Sequence, residues 1–136
     1  MLRNGLMTIT LLAMVVCASL PDDVEDDPTA VTRVATEWTQ ALAAHDVDAL
    51  MALHSEDFMD EDGNSKADFR EFIASTIEEG MLDNLNVSTE YAEMIIEDDT
   101  ASYNNIDLNS DVGAITIDLS LAKESAGWLI VSIIAR

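Results

Sequence analysis

The stretch from Ala114 to Lys123 constrains the fold more than any other part of the chain. Ile115, Ile117, Leu119 and Leu121 alternate there with Thr116, Asp118 and Ser120. A period of two puts the apolar side chains on one face of an extended strand and the polar ones on the other. Such a strand needs neighbours on its edges and an apolar layer over one face. The flanking sequence offers both. Thr100–Asn109 precedes it across a Ser110–Gly113 turn, and Trp128–Ala135 follows it across Glu124–Gly127. Leu85–Ile96 reads as one further strand, long or bent, with Asp98-Asp99 turning it into Thr100. Trp128–Ala135 is apolar on both faces, which predicts a central or doubly covered strand.

The earlier half of the chain has a helical period instead. Asp27-Pro28 reads as an N-cap followed by proline at the first helical position. Val31, Val34, Ala35, Trp38, Ala41 and Leu42 then recur at helical spacing, predicting a helix over Pro28–Ala44. Asp46 caps a second, shorter helix carrying Val47, Leu50, Met51 and His54. Ser65-Lys66-Ala67-Asp68 forms a capping box that opens a third, with Phe69, Phe72, Ile73 and Ile77 inward and Gly80 as its stop. Helices first and strands later make an α+β domain: a curved antiparallel sheet with three N-terminal helices packed on one face. The 136 residues suffice for one such domain with a hydrophobic core.

Charge narrows the partners. Twenty-seven acidic residues face six basic ones, a net charge of −21. That field repels nucleic acid and anionic lipid, so neither is an expected partner. Met1–Ala18 reads as a cleavable secretory signal. Arg3 supplies the positive start, Leu6–Val16 the short apolar run, and Val16-Cys17-Ala18 the small residues that signal peptidase prefers. The apolar run is too short for a comfortable membrane span. A lipid anchor on Cys17 is the weaker alternative, because Met14-Val15-Val16 matches a lipobox poorly. Pro21–Asp27 belongs to an acidic linker over residues 19–27, and the domain proper runs over 28–136. The expected location is periplasmic or extracellular, and the cleaved domain would carry no cysteine.

Three stretches carry a family resemblance. His45–Phe58 (HDVDALMALHSEDF) resembles the run that follows helix one in the nuclear transport factor 2-like superfamily. Glu97–Tyr103 (EDDTASY) is similar to that superfamily's hairpin, and Lys123–Val131 (KESAGWLIV) to its closing strand. The resemblance covers Pro28 to Arg136 and includes SnoaL-like and ketosteroid isomerase-like proteins. It implies a cone-shaped sheet with an apolar pocket at its open end, lined here by residues such as Trp38, Phe58, Tyr103, Ile115 and Ile117. It also implies a homodimer paired through the exposed sheet face, which the acid count opposes. Isomerase-type members use a helix-one Tyr and a strand carboxylic acid as oxyanion donors, with an Asp as base. Those positions correspond to Trp38, Ile115 and Asp62. Ile115 can donate nothing, and a base without an oxyanion hole lacks what is usually the largest catalytic contribution.

The residues themselves offer three further candidates. His54 lies on the same side of helix two as Leu50 and Met51 and could act as a base inside the cone, whereas His45 simply suits a helix C-terminus. Asp118 and Tyr91 read as a solvent-facing strand residue and a packing residue. Asp60–Glu71 resembles an EF-hand calcium loop, with oxygen side chains at Asp60, Asp62, Asn64, Asp68 and Glu71. Ser65 stands there where the loop needs glycine, and Ser55 and Glu56 break the apolar pattern of an entering helix. The expectation is therefore an exported, non-catalytic domain, without a cofactor, binding a small apolar or amphipathic molecule. An isomerase-type enzyme using Asp62 or His54, and a calcium-binding protein using Asp60–Glu71, are the alternatives.

Overall fold

The computed structural model describes residues 25–136. Met1–Ala18, with Cys17, and the linker up to residue 24 lie outside them. Three helices come first: α1 (Asp27–Ala43), α2 (Val47–Ala52) and α3 (Lys66–Glu78). Five strands follow: β1 (Asn86–Ser88), β2 (Glu93–Glu97), β3 (Thr100–Ser110), β4 (Gly113–Glu124) and β5 (Gly127–Ala135). The architecture is the expected α+β one, with helices against an open antiparallel sheet.

Capping explains where the helices begin and end. Asp26, not Asp27, caps α1, its carboxylate accepting from the Thr29 backbone N–H at 2.8 Å. Asp27 is released for another task. Its carboxylate accepts from Lys123 Nζ at 3.0 Å and Trp128 Nε1 at 3.1 Å, tying the start of α1 to the β4–β5 hairpin. At the other end His45 sits in the left-handed region (φ 58°), a conformation that usually calls for glycine. Asp46 caps α2 and the Ser65/Asp68 capping box opens α3, both as expected.

The sheet runs β1–β3–β4–β5, and β2 shares the outer edge of β3 with β1. The stretch expected as one strand from Leu85 is therefore two. Val87 pairs with Leu108, and Met94 with Tyr103, with a turn at residues 89–92 between them. A bulge at Asn104–Asn105 breaks the β3 ladder at the same level. Asn105 has φ 66°, its N–H donates to Asp118 Oδ1 at 2.9 Å, and Arg136 reaches both side chains. Asp118 does face away from the core, and its carboxylate holds this bulge.

β5 is an edge strand, contrary to its apolar pattern. The reason is a covered edge: the connection after α2 lies along it. Ile130 N–H donates to the Leu53 carbonyl, Ser55 N–H to Ile130 and Met59 N–H to Val131, at 2.8–3.1 Å. A second bulge falls at Val131, where the edge takes up this extra pairing.

Between sheet and helices lies a core centred on Val31, Val34, Trp38, Leu50, Phe58, Ile106, Leu119, Leu121 and Ile130. α1 packs on β3 and β5, whereas α3 packs on α2 rather than on the sheet. Phe72, expected inward on α3, is 61% exposed for that reason. No helix among the described residues is long and apolar enough to cross a membrane.

Candidate functional site

Because α3 stands off the sheet, the end of the domain beneath it stays open. There the strand alternation lines a cavity of about 610 Å³. β3 contributes Leu108, β4 contributes Ile115 and Ile117, and β5 contributes Ile133. Trp38 and Leu42 of α1 and Phe69, Phe72, Ile73 and Thr76 of α3 form the facing wall. The turn at residues 60–64 and the β3–β4 turn around Val112 border the mouth. The wall is mainly apolar, and its charged side chains are Asp60, Glu61, Asp62 and Asp68.

No family's sequence model matches the chain, and no curated protein matches it. Solved structures do. A protein of unknown function from Shewanella baltica, described as NTF2-like, superposes with a TM-score of 0.62 at 17% identity, over 79% of this chain and 90% of its own. A protein of unknown function with a cystatin-like fold from Nostoc punctiforme gives 0.61 at 15%, over 80% and 89%. A ketosteroid isomerase-like protein from Erwinia carotovora atroseptica gives 0.58 at 15%, over 82% and 96%. The chain has the nuclear transport factor 2-like fold. At such identities the likeness is one of fold.

On this nuclear transport factor 2-like frame the expected site residues part company. Trp38, Ile115 and Asp62, the three positions matched to isomerase-type machinery, all reach the same cavity. Ile117 lines it as well. Phe58 and Tyr103 do not, which corrects their expected place. Phe58 is 2% exposed and packs edge-on against His54 at 5.0 Å, on the inner side of an aromatic cluster completed by Phe69. Tyr103 pairs with Met94 and Leu119, beyond the bulge and away from the mouth. Leu108 and Ile133 were legible as wall residues, since each is a strand neighbour on the face of Ile115 and Ile117. The Met81–Leu85 segment carries no such signal.

The two candidate bases never meet. Asp62 is exposed in the turn at the mouth. His54 is buried off the cavity wall, its Nδ1–H donating to the Leu50 carbonyl at 2.8 Å. Burial pushes its imidazole down to about 4, so the ring is neutral at physiological pH. It works as a packing residue between Phe58 and Phe69.

Two of the calcium-loop carboxylates, those of Asp60 and Asp68, are engaged in shaping the chain. Asp60 accepts from the Asp62 and Asn64 N–H groups and from Asn64 Nδ2, at 2.8–2.9 Å. Slight burial raises its pKa, but these hydrogen bonds outweigh that and hold it below the usual carboxylate range. Asp68 is bound into the capping box, and Glu71 is exposed on α3. Among the described residues no group of three or more His, Cys, Asp or Glu gathers closely enough to hold a metal ion. The Asp60–Glu71 segment is a side-chain-capped turn leading into α3. His45 Nε2 donates to the Leu82 carbonyl at 3.1 Å, bracing the loop beside the cavity. Tyr91 is exposed and lies off the wall.

Proposed function

We propose that this is an exported, non-catalytic domain that holds a small apolar or amphipathic molecule in its cavity. The observation that carries the reading is the cavity itself: about 610 Å³, mainly apolar, with Trp38 in its wall. Spaces of this size and character take drug-sized molecules. Absence of catalysis is supported by what the wall offers. Of the three isomerase-type positions only Trp38 can donate a hydrogen bond, and Asp62 stands in solvent rather than facing a second donor. Export is supported by the pattern of Met1–Ala18.

Pairing through the sheet is part of the same proposal, and one uncharged row of the outer face supports it. Ile95, Ser102, Ser120 and Ser132 form one row across four strands, and Glu97, Thr100, Ala122 and Leu129 the next. The first row carries no acid, in a chain with 27 of them, and Glu97 stands at the β2 end of the second. The obstacle raised by the acid count is smallest along that first row.

Native mass spectrometry of the protein purified after expression of the full chain tests all of this at once. A co-purifying organic mass, a new N-terminus near Ser19 and a dimer mass are the expected results. A protein that carries no small molecule and takes up no Nile red would sink the binding reading.

A further inference from the structure

Two segments border the mouth of the cavity, and they are held with unequal strength. The turn at residues 60–64 is tied down from within. Asp60 accepts there from two backbone N–H groups and from Asn64 Nδ2, and its own backbone bonds to Asn64 and Gly63. The other border is the tip of the β3–β4 hairpin, Ser110–Ile115, which outruns the rest of the sheet. β5 pairs with β4 only as far as Ile117, with backbone bonds between Thr116 and Arg136 just beyond. On the opposite side β1 meets β3 no further than Asn86 opposite Asn109.

Every residue from Asp111 to Ile115 is exposed, including the apolar Val112 at 63% and Ile115 at 46%. Both side chains line the cavity, as do Met81, Leu82 and Leu85 of the segment after α3. Among the described residues one side-chain hydrogen bond ties the tip to another part of the chain. Asn84 Nδ2 donates to Asp111 Oδ2 at 2.8 Å, and both residues are exposed. The Asn84 side of this contact is fixed. His45 holds the Leu82 carbonyl at 3.1 Å, and the Met81 N–H bonds to the Thr76 carbonyl at 3.1 Å. A hairpin end without flanking strands, held by a single exposed hydrogen bond, opens at small cost.

We propose that Ser110–Ile115 is a flap over the cavity, latched by Asn84 and Asp111, whose opening admits and frees the apolar ligand. This rests on the pocket-binding reading above and adds the route by which the pocket fills. A bound molecule gives Val112 and Ile115 the apolar cover that the fold leaves off them. The latch is made with the cavity empty or filled, so loosening it speeds entry and exit alike and leaves their ratio unchanged. Loss of a simple wall contact speeds exit alone.

Stopped-flow fluorescence of the purified protein with Nile red separates the two. D111A removes the acceptor without altering the Asn84 backbone. It raises the association and dissociation rates together by about fivefold, the factor that one net hydrogen bond is worth, and leaves Kd unchanged. D111N keeps a carbonyl acceptor for Asn84 Nδ2 and shows the parental rates. D83N removes a carboxylate from the same segment at a residue off the cavity wall, and it too shows the parental rates. If D111A leaves both rates unchanged or raises dissociation alone, the flap inference falls and the pocket reading stands. The same holds if D111N or D83N speeds exchange as D111A does. If the parent protein binds no Nile red, both readings fall together.

Discussion

The same three strands build a packed core at one end and a cavity at the other. In the packed half Ala101, Leu119, Leu121, Trp128 and Ile130 are all at most 8% exposed. Across from them α1 presents Ala30, Val31, Val34 and Ala35, side chains small enough for the helix to lie close on the sheet. In the open half the strand residues are of the same kind, yet Ile115 is 46% exposed. There α1 presents Trp38 and Leu42, and α3 turns toward α2 instead of closing over the strands. Alternation therefore makes a wall. Whether that wall becomes core or pocket is decided by the layer opposite, because burial stabilises only where a second apolar surface excludes water.

Truncations along β4 break this comparison most directly. Leu119→Ala, at 0% exposure, is expected to cost about 3–4 kcal/mol in urea denaturation, the sum of lost transfer energy and a residual cavity. Ile115→Ala, four residues away on the same face, is expected to cost less than about 1 kcal/mol. Equal losses would mean that the two halves are packed alike.

A second test uses His54, which stands at the border between the halves. Its folded-state pKa is about 4, against an ordinary value near 6.5, with burial as the largest cause and Lys66 adding repulsion. The depressed value means that the unfolded chain binds the proton more readily. Its neutral form therefore contributes stability that is complete above pH ~6.5 and is lost as pH falls through about 4, by about 3 kcal/mol. His54→Phe gives up the bond to Leu50, about 1 kcal/mol at neutral pH. It should also flatten the acid side of the stability profile relative to the parent, which carries the same carboxylates. An unchanged profile would show that His54 is not held neutral by packing.

Much of this was readable in the sequence, and the failures have a common cause. Local signals worked: the Ser65/Asp68 box and the Asp46 cap depend on a few adjacent residues. The family resemblance also brought Trp38, Ile115 and Ile117 around one cavity, as the structure does. What failed depends on distant chain. Asp27 read as a cap because nothing nearby reveals Lys123 and Trp128. β5 read as central or doubly covered; it is last in the sheet, and its covered edge is supplied by residues 53–59, which carry no strand pattern. Phe58 read as a wall residue because sequence cannot tell which side of an aromatic cluster faces empty space.

The smallest effect is the most discriminating, and it concerns Phe72. Its ring is 61% exposed, stacks on Phe69 at a centroid distance of 6.4 Å, and borders the cavity. Phe72→Ala should change stability by no more than about 0.5 kcal/mol, since so little of the ring leaves water on folding. It should nonetheless weaken octanol binding by roughly fivefold, because a ligand would cover the ring that the sheet leaves bare. A residue that matters to the ligand and not to the fold is what an open half predicts. If Phe72→Ala destabilised the protein as a core truncation does, α3 would close over the sheet in solution, and the cavity would be filled by the protein itself.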